Sequence, residues 1–133
     1  MACDLSNPEI ANAYNRIING DDIDWMIVGY HSTRDKLSLY ATGSGGVNEM
    51  AQSIPEEVVF AFIYFEGSNV LVTHVSEKIS GVQRARGLAH QRVVAAYFSH
   101  YDVTVNTSKP SELTPGMLRA KTSHLAIKTL PMK

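Results

Sequence analysis

The chain has 133 residues, of which 44% are hydrophobic and 19% charged, and this composition favours one globular domain and excludes a disordered chain. Its formal net charge is only −1, but residues 1–77 carry eleven acids and three bases, whereas residues 78–133 carry nine bases and two acids. The single cysteine, Cys3, excludes an internal disulfide, and no apolar run is long enough to span a bilayer as a helix. We expect one soluble, cytoplasmic domain over residues 1–133, with a core at about 5–121 and a tail at 122–133.

The first half of the chain predicts a helix followed by strands. Ser6 is the expected N-cap of the first helix, with Pro8 in its first turn and Glu9 completing a capping box. The next apolar residues repeat at helical spacing and predict its buried face: Ile10, Ala13, Tyr14, Ile17 and Ile18. The pattern beyond Gly20 predicts strands at 25–31, 36–42, 58–65 and 70–76, a turn at 32–35 and a short helix at 47–54. The run at 58–65 is almost continuously apolar, which is typical of a central strand buried on both faces.

A long helix is predicted to follow near Gly81, because Ser80 and Gln83 form a second capping box. One stripe at steps of three and four is expected to face the core: Val82, Ala85, Ala89, Val93, Ala96 and Tyr97. On a helical wheel Arg86 lies about 40° from Val82, inside this stripe. Arg86 therefore reaches solvent only if the first turns overhang the sheet or Gly87 kinks the helix.

The rest of the chain predicts one more strand, at 102–107, and a helix at 110–121 that is interrupted by TPG at 114–116. Thr114 and Pro115 offer a fresh cap and first turn beyond that interruption. The order of elements is α-β-β-α-β-β-α-β-α. This order indicates an α/β (α+β) domain with a mixed or mostly antiparallel sheet and helices packed on it.

No catalytic or metal-binding pattern stands out. ATGSGG (41–46) lacks the complete glycine pattern of a phosphate loop, and no Lys-Ser or Lys-Thr pair follows it. The five histidines are scattered without a partner at metal-ligand spacing: His31, His74, His90, His100 and His124. A small enzyme that uses the glycine loop and a histidine stays open as an alternative.

Cations without neighbouring acids are the most informative feature of the second half. Four lie between Glu77 and Asp102 with no carboxylate among them: Lys78, Arg84, Arg86 and Arg92. Because a solvated helix face usually mixes charges of both signs, an unmixed one indicates an acidic partner. An alternative stays open, in which these cations lie on an ordinary solvated face and folding places acids from other parts of the chain between them.

The segment ISGVQRAR (79–86) resembles the start of the long helix in coactosins, a branch of the actin-depolymerising-factor homology family that includes cofilin. EIANAYN (9–15) and VFAFIYF (59–65) are similar to its first helix and its central strand. The resemblance covers residues 5–121. It implies a mixed sheet of five or six strands with helices on both faces, and an actin-binding protein without catalysis, cofactor, metal or nucleic-acid partner.

The resemblance also implies which residues bind actin. Arg86 occupies the position of a basic residue, generally lysine, that is central to filament binding, and Arg84 supports it. The last helix of the family aligns with 111–121, which adds Arg119 and Lys121. The predicted actin-binding residues are therefore Lys78, Arg84, Arg86, Arg92, Arg119 and Lys121. The turn after Phe65 is short, whereas the corresponding coactosin hairpin is long and basic.

Three partner alternatives follow from the same surface. Coactosins bind along the side of filaments and modulate their dynamics, which predicts a cytoplasmic protein of the actin-rich cortex. A cofilin-like preference for monomeric actin, with filament disassembly, is the alternative function. The basic face is also suited to acidic phospholipid, which is compatible with actin binding.

Overall fold

The structure, a computed structural model, describes residues 3–30 and 36–129. Its elements in chain order are α1 (Pro8–Ile18), β1 (Trp25–Tyr30), β2 (Leu37–Gly43), α2 (Gly46–Gln52), β3 (Val58–Phe65), β4 (Ser68–Val75), α3 (Gly81–Tyr97), β5 (Val103–Thr107), a 3₁₀ turn (Pro110–Glu112) and α4 (Pro115–Thr129). The predicted turn at 32–35 lies outside the described residues. Helix α4 begins at Pro115 as predicted, with the Thr114 hydroxyl accepting from Met117 N, and it continues to Thr129.

The five strands form one mixed sheet in the order β2-β1-β3-β4-β5. All neighbouring pairs are antiparallel except β4 and β5, which are parallel and are joined through α3. Strand β3 lies at the centre and is buried along most of its length, as its apolar run predicts. The predicted mixed sheet is confirmed, with five strands.

Helices cover both faces of this sheet, as predicted. Helices α1 and α3 pack on one face, where residues such as Ile10, Val94 and Phe98 meet Phe60 and Phe62 of β3. Helices α2 and α4 pack on the other face, where the buried residues include Met50, Leu118, Val59 and Ile63. Because alternate residues of β3 point to opposite faces, one strand contributes to both cores.

The face of α1 was predicted correctly, but its N-cap was not. Ile10, Ala13, Tyr14 and Ile17 are buried, as their spacing predicts. The cap is Asn7 rather than Ser6, because the Asn7 side-chain oxygen accepts from Glu9 N at 2.9 Å. Pro8 takes the first helical position, which has no need of an N–H donor, and this places the cap on the residue directly before it.

Candidate partner-binding face on helix α3

Helix α3 begins where its capping box predicts. Ser80 is the N-cap, and its hydroxyl oxygen accepts from Gln83 N at 3.2 Å. The cap satisfies one of the N–H groups that a helix start leaves without a partner. The basic residues of the first turns, Arg84 and Arg86, therefore project from a helix with a defined start.

The predicted core-facing stripe of α3 is wrong, since most of it points to solvent. Val82 is 71% exposed and Val93 38% exposed, whereas the buried residues of α3 are Gly87, His90 and Val94. Ala85, Ala89 and Ala96 are exposed as well, and Tyr97 is half-buried. The helix is therefore rotated by about a third of a turn, or about 120°, relative to the prediction.

Close packing at Gly87 explains this rotation. A Cβ at Gly87 would lie 2.6 Å from Cγ1 of Val58, so only glycine allows α3 to approach the start of β3 this closely. The same face stays buried over the next two turns, since His90 and Val94 lie three and seven residues beyond Gly87. No helix kink is needed to explain where the arginines lie.

Polar side chains hold the inner face of α3 in this orientation. Tyr30 Oη lies 2.5 Å from Nδ1 of the fully buried His90. Gln91 Nε2 donates to Thr73 Oγ1 of β4 at 3.1 Å and to Asn106 Oδ1 of β5 at 3.0 Å. A buried polar side chain is costly unless it is hydrogen-bonded, so these partners make polar residues suitable for the packed face.

The outer face of α3 is consequently an apolar ridge. We use this name for Val82, Ala85, Leu88, Ala89, Val93 and Ala96. Leu88 is 53% exposed, so the ridge contains three large aliphatic side chains among small ones. Exposed apolar residues that are contiguous on one helix face indicate a binding surface.

Arg86 flanks the apolar ridge on one side. It is half-buried and lines a groove with Tyr30, Glu57, Val58 and Gln83. Its position is about 100° around the helix from Gly87, which leaves it beside the sheet rather than beneath it. No carboxylate of the described residues forms an ion pair with its guanidinium group.

Arg84 flanks the ridge on the other side. It lines a second groove, which Leu88, Thr73 and Asn106 also border and in which Glu112 is the acidic residue. In the part of the chain that the structure describes, Arg84 likewise has no ion-pair partner. Two guanidinium groups on one helix are thus available to acidic groups of a partner.

The other predicted contacts near α3 differ in their availability. Lys78, just before the helix, pairs with Glu56 through Nζ and Oε1 at 3.2 Å, but both side chains are mostly exposed. Arg92 is exposed in the second half of α3, beside Ala95, Ser99 and Tyr101. Exposed ion pairs contribute little, so the pair with Glu56 does not remove Lys78 from the surface.

Arg119 and Lys121 form a separate patch on α4, which covers the opposite face of the sheet. Arg119 forms a two-point ion pair with Glu66, with Nη2 at 2.7 Å from Oε2 and Nε at 3.0 Å from Oε1. Lys121 is exposed. Glu66 follows the last residue of β3, whereas Val58 under Gly87 is its first, so these two residues are separated by about 25 Å along the strand.

The glycine loop and the scattered histidines do not form a second site in the described residues. Gly45 N donates to Glu49 Oε1 at 2.8 Å, and Trp25 Nε1 donates to the same oxygen at 2.9 Å. These bonds lower the pKa of Glu49, and they direct an amide of the loop towards its own chain. No group of His, Cys, Asp and Glu among the described residues is arranged to hold a metal ion.

The fold and this outward-facing helix define a binding domain, and the comparisons with known proteins identify its family. The family of cofilin/tropomyosin-type actin-binding proteins matches residues 2–123, so the chain belongs to that family. This match confirms the resemblance seen in the sequence. No helix within the described part of the chain is both long and apolar enough to cross a membrane.

Individual relatives agree with the family. Coactosin of Dictyostelium discoideum is 24% identical over 129 residues, which cover 89% of this chain and 88% of that protein. The crystal structure of coactosin from Entamoeba histolytica has a TM-score of 0.83 at 19% identity and covers 95% of this chain and 98% of that one. The solution structure of mouse coactosin, described as an actin filament binding protein, has a TM-score of 0.75 at 19% identity and covers 98% and 100%. The two structural likenesses establish the fold.

Longer proteins match as well. The mouse drebrin-like protein is 24% identical over 131 residues, and these cover 91% of this chain. The chain spans only 30% of the length of that relative.

Sequence reasoning missed the large residues of the ridge. It assigned Val82 and Val93 to the core and did not consider Leu88. Gly87 was the one indication in the sequence of which face of α3 is buried, because a glycine inside a helix often marks a point of close packing.

Proposed function

We propose that this chain binds actin through the apolar ridge of α3 and the arginines beside it, and that it catalyses no reaction. The observation that carries the proposal is the exposed ridge between Arg84 and Arg86, neither of which is paired with a carboxylate of the described residues. Membership in an actin-binding family supplies the partner. Such a protein acts in the cytoplasm, at the actin cytoskeleton.

In this proposal the ridge supplies most of the affinity, and the arginines determine the orientation and the association rate. Burying one valine or leucine side chain completely contributes about 1.5–3 kcal/mol, so Val82, Leu88 and Val93 are the main source of affinity. An ion pair at the rim contributes only about 0.2–1 kcal/mol. The arginines instead orient the complex and accelerate its formation with an acidic surface such as that of actin.

We further propose that the chain binds along the side of filaments. The apolar ridge of α3 with its flanking arginines and the α4 patch of Arg119 and Lys121 lie on opposite faces of the sheet, which suits contact with two neighbouring subunits of a polymer. The start of α3 resembles that of coactosins, and mouse coactosin is described as a filament-binding protein.

Cosedimentation with filaments tests the proposal. Wild type is expected to pellet with filaments at low salt and to be released as salt rises, because exposed charge pairs are screened. Arg86→Ala should weaken binding about 1.5- to 5-fold and slow association, because it removes one ion pair at the rim of the ridge. Lys36→Ala removes one positive charge from an exposed residue directly before β2, so it is the matched control and should bind like wild type.

A second variant tests the ridge itself. Val82→Ser keeps all charges and removes apolar surface from a side chain that is 71% exposed, so it should weaken binding about five- to thirtyfold without changing folding. If wild type stays in the supernatant at low salt with filaments in excess, the proposal is wrong. Binding to monomers with slowed nucleotide exchange would support the cofilin-like alternative instead, and flotation with acidic vesicles separates a lipid partner from actin.

A further inference from the structure

The ion pair between Glu66 and Arg119 joins two distant parts of the chain. Both oxygens of Glu66 accept from the Arg119 guanidinium, and the two residues are 53 positions apart. The guanidinium carbon of Arg119 also lies 5.8 Å from the ring centre of Phe65. Arginine therefore meets a carboxylate in the planar, two-point geometry that is the strongest form of such pairs.

The turn that carries Glu66 is unusual. Phe65 pairs with Ser68, so the hairpin loop consists of Glu66 and Gly67, and both have positive φ angles, of 47° and 88°. A two-residue loop of this type strongly favours Asn-Gly or Asp-Gly, because a longer side chain tolerates the left-handed region poorly. Among the described residues, Glu66 is the only one other than glycine with a positive φ angle. A strained residue at this point is a reason to look for a role of its side chain.

We propose that Glu66 determines how much of α4 takes part in binding, by clamping Arg119 and withholding it from carboxylates of the partner. This inference rests on the proposed actin-binding function. The clamp leaves α3 as the main contact and Lys121 as the available cation of the α4 patch. The side chains of Arg119 and Glu66 are 59% and 49% exposed, so the pair lies at the surface where an acidic partner reaches it.

The clamp has a definite consequence for affinity. A guanidinium whose charge is already balanced gains little from a partner's carboxylate, since a new pair replaces an old one. Releasing Arg119 adds one exposed ion pair to the interface, which corresponds to about 1.5- to 5-fold tighter binding. The released form should also depend more steeply on salt.

Glu66→Asn is the informative variant. Asparagine is too short to reach Arg119 in the same way, and Asn-Gly is the preferred sequence for this turn, so the fold is retained or stabilised. In the filament cosedimentation series, Glu66→Asn should bind about 1.5- to 5-fold tighter than wild type. Adding Arg119→Ala to Glu66→Asn should abolish that gain.

The same series separates the clamp from the proposed function. Wild-type binding that is weakened in Arg86→Ala and in Val82→Ser, with no gain in Glu66→Asn, overturns the clamp alone. A gain that persists after Arg119→Ala also overturns it, because the effect then arises from the lost negative charge of Glu66. Absence of wild-type binding overturns the actin-binding function itself.

Discussion

Gly87→Ala is expected to destabilise the protein, although alanine is the better helix former. The added Cβ would lie 2.6 Å from Cγ1 and 3.3 Å from Cγ2 of Val58. Val58 is buried at the start of the central strand, and its branched side chain has few alternative rotamers. Either α3 must move away from β3 or the valine must leave its preferred conformation.

The magnitude follows from two opposing effects. Replacing a glycine inside a helix by alanine contributes about 0.5–1 kcal/mol of stability. Overpacking a close contact costs about 1–3 kcal/mol. The free energy of unfolding should therefore fall by about 0.5–2 kcal/mol, and Tm by about 2–8 °C for a chain of this length.

Thermal and urea unfolding, followed by circular dichroism, measure this change. Gly81→Ala is the matched control, because a Cβ at Gly81 would meet nothing within 4 Å, and its stability should equal or slightly exceed that of wild type. Combining Gly87→Ala with Val58→Ala removes the clash, so the double variant should lose at least about 1 kcal/mol less than the sum of the single changes. If Gly87→Ala is as stable as wild type, close approach of α3 to β3 does not set the orientation of the helix.

Three further changes test local features of the fold. Glu49→Ala removes the acceptor of the Trp25 indole, so it should cost about 1–3 kcal/mol and shift the fluorescence of the single tryptophan. Ser80→Ala removes the cap of α3 and should cost about 1 kcal/mol in urea unfolding. Burial lowers the pKa of His74 below its ordinary value of 6.5, although the Glu112 carboxylate acts in the opposite direction. The unfolded chain then takes up the proton at a higher pH than the folded one, so stability is full above about pH 6.5 and falls below it by up to about 1.4 kcal/mol per pH unit. His74→Gln should flatten this pH dependence, and an unchanged slope would contradict the assignment.

Helix α1 and strand β3 were predictable from the sequence. Helix α1 has one apolar stripe, and four of the five residues that the spacing selects are buried, while the fifth, Ile18, is half-buried. Strand β3 has apolar residues on both faces, which requires a central position in the sheet. In both cases, burial of apolar surface decides the outcome, and a sequence pattern reports directly on that surface.

The clamp at Glu66 was not predictable for a different reason. The sequence indicates a tight turn after Phe65, but it does not indicate that α4 passes close to that turn. The contact with Arg119 depends on how β3 and α4 are arranged across 53 residues. The sequence consequently predicted Arg119 as a contact residue without indicating its ion pair with Glu66, which distinguishes it from Arg84 and Arg86 among the described residues.

Helix α3 packs on the sheet with one face and is proposed to bind a partner with the other. Hydrophobic spacing alone therefore did not predict which of its faces is buried in the fold. Its inner face packs through close approach at Gly87, hydrogen bonds of His90 and Gln91, and Val94, and of these four residues Val94 alone is a large apolar residue. Its outer face carries more apolar residues, because a partner is expected to bury them. Alanines keep the exposed area of that ridge small, and the arginines beside it oppose self-association by mutual repulsion. An apolar stripe whose charged neighbours are all cations therefore indicates a binding face. A more polar stripe centred on a glycine indicates the face of the helix that packs on the sheet.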